Sequence, residues 1–166
     1  MRTFLIGASL FCLTGIALAQ EHTLTIYSSW DKLEYVDINP PGLSVGDMYL
    51  RRGEVSLSAG GPAAGEFYSV ATMVYLDQSG KISSPFSSSL FSSEVILPEG
   101  SLYTTDFVQC QTACAVESGS GHKHDGAIIG GTGAYAGIRG HYTLERLPSD
   151  EGRKTVKTVY KYWLDQ

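Results

Sequence analysis

Residues 130–137 read GGTGAYAG and stand directly after the run GAII of residues 126–129. A glycine-rich turn behind an apolar strand is either a loop that cradles a phosphate or a tight corner in an all-β fold. Gly131, Gly133 and Ala136 satisfy the dinucleotide pattern G-x-G-x-x-G/A. That pattern works only in front of a helix, because the helix N-terminus supplies the amides and dipole that hold pyrophosphate. The chain continues instead as GIRGHYTLERLP, and Gly137 and Gly140 suit a first helical turn poorly. From Gly140 onward the chain alternates. Tyr142, Leu144 and Arg146 fall on one side and His141, Thr143, Glu145 and Leu147 on the other, the period of a strand. The glycines therefore predict a corner that leads into a strand.

Strand-like runs recur on both sides of this corner, and no stretch of ten or more residues carries a helical period. They are LEYVDI (33–38), DMYLRRGEVSL (47–57), FYSVATMVYLD (67–77), LFSSEVIL (90–97), SLYTTDFVQ (101–109), DGAIIG (125–130), GHYTLERL (140–147) and TVKTVYKYWL (155–164). These make eight, with TLTIYSSW (23–30) as an N-terminal extra. The breaks NPPG, SAGGPAAG, DQSGK, PEG, SGSGHKHDG and PSDEGRK are turn chemistry. Even spacing of short strands points to a sandwich or barrel. Ten tyrosines, six phenylalanines and two tryptophans suit a barrel lumen that takes a small hydrophobic ligand.

Arg2, the apolar stretch FLIGASLFCLTGIALA and the Ala17-Leu18-Ala19 site have the form of a secretory signal over residues 1–19. The expected mature domain is residues 20–166, exported to the extracellular space or a bacterial periplasm. Loss of Arg2 leaves 11 basic against 17 acidic residues, a net charge of −6. An acidic chain without a basic stripe argues against nucleic acid as a partner, and no later run reaches the length of a membrane span. The mature part keeps Cys110 and Cys114, in CQTAC. Export makes a disulfide the default, with free thiols or redox and metal work as alternatives; the C-x-x-x-C spacing differs from the redox C-x-x-C.

Three segments, in order, resemble the allene oxide cyclase and dirigent superfamily. The stretch AIIGGTGAYAGIRGHYTLERL is similar to its signature G-G-T/S-G-x-F/Y-x-G-x-x-G leading into a strand, with Gly130, Gly131, Thr132, Gly133, Tyr135, Gly137 and Gly140 at the signature positions. VGD at 45–47 resembles the Gly-Asp step into a barrel strand, and YVDIN at 35–39 resembles the first-strand V-Y-E-I-N of the cyclases. The resemblance implies an eight-stranded antiparallel β-barrel, often a homotrimer. It also implies a small hydrophobic, reactive metabolite whose cyclisation or coupling is steered in the lumen without a cofactor or metal.

By the same resemblance Asp37 and Asn39 stand at the positions of the lumen glutamate and asparagine of the cyclases, as catalytic candidates, with Tyr35 on the same face as a ligand-binding residue. Asp37 is one methylene shorter than the glutamate, and a solvated acid at a strand end is the competing reading. A second lumen asparagine of the cyclases is Gly53 here. Arg139 matches the arginine of the dirigent A-R-G variant, as an anchor for a carboxylate or phenolate or as a rim arginine. Arg51, Asp106 and Tyr135 complete the expected ligand-binding set. One of Arg51 and Arg52 must face inward, and a charge in the lumen needs a partner or a ligand. His122 and His124 with Asp125 have the form of a metal site, and also of a solvated loop.

Two function classes stand at this point: a cofactor-free cyclase, isomerase or dirigent-like protein, and a non-catalytic, lipocalin-like module that shelters a hydrophobic ligand. Export carries its own prediction. Intact mass after alkylation without reductant should show no label on Cys110 or Cys114 in protein secreted by its host, and two labelled cysteines would refute the bridge.

Overall fold

Alternating runs cut by Gly, Pro and Asp turns pair into one antiparallel sheet. The computed structural model describes residues 20–30, 32–38, 41–42, 44–75, 88–109, 123–148 and 154–164. Residues 1–19, read above as a secretory signal, and Asn39, Cys110, Cys114 and His122 lie outside the described residues. The strands are β1 (His22–Trp30), β2 (Leu33–Val36), β3 (Met48–Ser56), β4 (Gly65–Tyr75), β5 (Ser88–Leu97), β6 (Gly100–Gln109), β7 (Lys123–Gly131), β8 (Ile138–Arg146) and β9 (Lys154–Leu164). From β2 to β9 each strand pairs with the next in sequence, and β1 returns to pair with both β9 and β3.

The result is a closed eight-stranded barrel with nine strand segments. Tyr27 stands opposite Ser56 and Leu33 opposite Arg51, so β1 and β2 run along β3 as one stave with one extra residue at the break between them. This corrects one detail of the sequence reading. Residues 22–30 are no extra strand: they pair with β9 from His22↔Tyr162 to Trp30↔Lys154 and close the barrel. Residues 33–36 are the short continuation of that stave.

The glycine-rich stretch is a corner. Gly133–Tyr135 makes a single 3-10 turn between β7 and β8. It is stitched to the β5–β6 hairpin: Thr132 N–H donates to Ser101 O at 2.9 Å, Ala134 N–H to Glu99 O at 2.8 Å, and Ser101 N–H to Thr132 Oγ1 at 3.0 Å. Gly133 has φ +59, and a Cβ there would lie 2.2 Å from Glu99 O. Only glycine fits both the left-handed backbone and the close approach.

A buried carboxylate fixes the loop into β3. Asp47 is fully buried and accepts hydrogen bonds from Tyr35 Oη (2.6 Å), the Ile38 amide (3.0 Å), and the Ser44 amide and hydroxyl. The Tyr35 hydroxyl above all, and then the Ile38 amide, pull its pKa down to about 2. The Gly-Asp step read in VGD is thus a loop fastener.

Both features can be tested by substitution. Gly133→Ala should destabilise the fold by about 1–2 kcal/mol or more, since it places a Cβ in left-handed backbone. Gly130→Ala, whose Cβ would meet only Tyr103 Cδ2 at 3.9 Å, should be mild; equal urea midpoints for the two variants would contradict the corner. For Asp47, a folded pKa below the unfolded value of about 4 means stabilisation that is present above pH 4 and lost as pH falls towards 2. Asp47→Asn should therefore be less stable than wild type at neutral pH, and the gap between the two urea midpoints should narrow from pH 4 to pH 2.

Candidate functional site

Strand alternation sends every second side chain into the lumen. In the half nearest the Gly133 corner these side chains fill the space, with Ile26, Val55, Leu97, Leu102, Ile128 and Ile138 buried against one another. The other half is hollow. A cavity of about 100 Å³ lies there, with Trp30, Arg51, Phe67, Phe91, Asp106, His124, Tyr142, Arg146 and Tyr160 on its wall. Ser28, Ser69, Ser93, Thr104 and Thr158 also face it, and these small inward residues leave the space.

Asp106 is the centre of the polar wall. It is buried on β6, and its Oδ2 accepts from Tyr142 Oη at 2.7 Å and lies 2.8 Å from His124 Nε2. Burial, the Asp106 charge and that hydrogen bond all push the Tyr142 pKa far up, so the phenol remains a proton donor. Arg51 stands on the same wall, with Cζ over the Trp30 ring at 5.6 Å and over the Phe91 ring at 5.2 Å. Burial above all, and the Arg146 charge next, push its pKa down to about 10, against an opposing pull from Asp106. It remains a cation at neutral pH.

Four enclosed atoms on this wall have no hydrogen-bond partner among the described residues: Trp30 Nε1, Arg51 Nε, Ser69 Oγ and Asp106 Oδ1. Buried polar groups are rarely left so, and their gathering around one cavity marks a place that water or a ligand completes. Donors and an acceptor are both on offer. The arrangement can hold a small molecule by its polar edge, aim a carboxylate at developing positive charge, and exclude bulk water.

The structure sorts the residues named from the sequence. Arg51 and Asp106 line the cavity, and the parity of the pair is settled, because Arg52 points outward to Glu66 at 3.2 Å. Tyr35 and Asp37 are not on the cavity wall: by register Tyr35 shares the inward face of Arg51 but stands beyond the cavity, at the rim. Tyr35 is exposed at the rim and spends its hydroxyl on Asp47, and Asp37 is exposed and accepts from the Gly42 amide at 2.8 Å. The physical reason is the break after β1, which makes residues 33–38 a short rim segment and not a full stave. Arg139 is exposed on β8 next to inward-facing Ile138. Tyr135 packs edge-on against Tyr162 at the filled end of the barrel. His124 faces the cavity, but Asp125 faces out and accepts from Thr143 Oγ1 at 2.6 Å. Among the described residues no three His, Cys, Asp or Glu side chains stand together as metal ligands.

Sequence reasoning did not single out Trp30, Phe91, Tyr142 or Arg146 as site residues, nor His124 as the partner of Asp106. A signal for two of them was present: Tyr142, Leu144 and Arg146 form one face of the alternation behind the corner, and that face is the lumen face.

No protein-family model and no curated sequence matches the chain. Solved structures do resemble it. A pterocarpan synthase dirigent protein superposes with a TM-score of 0.62 at 15% identity, over 99% of this chain and 100% of that one. A pyocyanin demethylase gives 0.61 at 19% identity, over 85% and 99%. A Diels–Alderase from Streptomyces koyangensis gives 0.59 at 13% identity, over 90% and 71%. The chain thus has the antiparallel barrel fold of dirigent proteins and Diels–Alderase barrels, as the glycine signature led us to expect.

Proposed function

We propose that this barrel takes a small, reactive, largely hydrophobic metabolite into its lumen and steers the stereochemistry of its cyclisation or coupling, in an exported protein and with no resident cofactor. The observation that carries this reading is the cluster of unpartnered polar atoms around an aromatic-walled cavity. The barrel likeness to a dirigent protein and to a Diels–Alderase supports it. Among the described residues no helix is long and apolar enough to cross a membrane.

The division of labour rests on the geometry. The aromatic wall confines the ligand in one conformer, which lowers the entropic part of the barrier. Asp106 Oδ1 accepts a hydrogen bond or faces positive charge as it develops, and Oδ2 is pinned by Tyr142 and His124, so the carboxylate is preorganised. Tyr142 and His124 act through Asp106 as positioning residues.

The test is product stereochemistry. The purified chain would be incubated with phenoxy radicals made by a one-electron oxidant, with quinone methides and with linear polyenes capable of ring closure. An enantiomeric excess absent without protein is the expected result. Asp106→Asn should fold and lower the steered rate by about 100- to 1000-fold, the loss typical of one preorganised electrostatic contact. Saturable binding with racemic products throughout would replace steering with simple ligand storage.

A further inference from the structure

The open half of the lumen carries more fixed positive than negative charge. Arg51 and Arg146 both line it, and among the described cavity residues Asp106 is the one carboxylate. Asp106 is already engaged, with Tyr142 and His124 on its Oδ2. Trp30 and Phe91 hold Arg51 by cation–π contact, with Cζ 5.6 Å and 5.2 Å from their ring centres, a contact that does not use up hydrogen-bond donors. One of its donors, Nε–H, is enclosed and has no partner among the described residues. A guanidinium whose enclosed Nε–H meets no acceptor among the described residues, in a low-dielectric space, is a receptor for an oxyanion.

We propose that the lumen selects a planar, conjugated organic anion, its rings against the Trp30–Phe91 wall and its acid group bound by Arg51. Arg146 adds charge to the same place. The lumen reading underlies this inference, which names the substrate class: a carboxylate, phenolate or enolate conjugated to a ring or polyene. The neutral analogue of such a ligand leaves Arg51 without a counter-ion and binds more weakly.

Isothermal titration of the purified chain with 2-naphthoate and with 2-naphthamide, a neutral molecule of nearly the same shape, separates the possibilities. Wild type should bind the acid at least about 10-fold more tightly than the amide, the size of one charge-assisted hydrogen bond. Arg51→Met should erase that preference, weakening the acid far more than the amide. Arg51→Lys should restore part of the preference, because charge returns without the fork. Arg146→Gln should reduce it and serves as the second variant if Arg51→Met does not fold by circular dichroism. Equal affinity for acid and amide in wild type would overturn the anion proposal while keeping the lumen as a binding site. No binding of either compound to folded wild type would overturn both. A preference that survives in folded Arg51→Met would place the anion site elsewhere and also defeat the proposal.

Discussion

β1 hydrogen-bonds along its whole length to β9 and, at its C-terminal end, to β3, and this double pairing is what turns a sheet into a barrel. Closure removes the open edges of the sheet and forces alternate side chains of every stave into one shared interior. With eight staves that interior is only wide enough for side chains to fill it. A cavity must then be built by choosing small residues, and serines and threonines on the inward face of β1, β4, β5, β6 and β9 do this at one end. The same face carries isoleucine, valine and leucine at the other end, which seals the floor.

This distribution explains how far the sequence could be read. Period 2 and turn chemistry located all nine strand segments to within about two residues, because both signals are local. Pairing partners are not local, so the residues of β1 carried no sign that they closed the barrel. Inside and outside were hard to tell apart for a second reason. Leu90, Phe107 and Ile129 point out and are exposed, while Ser28, Ser69 and Asp106 point in and are buried. An amphipathic lumen and an apolar outer face blur the contrast on which facing is judged. Asp37 and Tyr35 lie beyond the cavity wall because residues 33–36 form only a short segment at the rim. Asp106 and Arg51 were legible as charges in mid-strand, a pattern that needs an explanation wherever it occurs.

Two carboxylates show how one chemical group serves two ends. Asp47 is buried and has both oxygens engaged by donors from β2, the residues just after it and its own loop; its task is complete in the folded chain. Asp106 is buried with one oxygen engaged and one waiting. An enclosed acceptor left open is a cost to the fold, and it is found at the cavity and not at the loop. The glycine corner and the Asp47 loop hold the barrel's shape, so the cavity wall can carry groups that contribute little to stability.

The pairing of β1 with β9 also governs how the chain reaches its fold. The first stave to leave the ribosome or an export channel finds one of its two neighbours only when the last stave has emerged, nearly the whole domain later. Until then β1 has no partner along the side that β9 will occupy, and the lumen residues of every stave face a solvent-filled trough. Contacts of such long sequence separation make for slow folding. Closure of the barrel therefore waits until β9 has been synthesised.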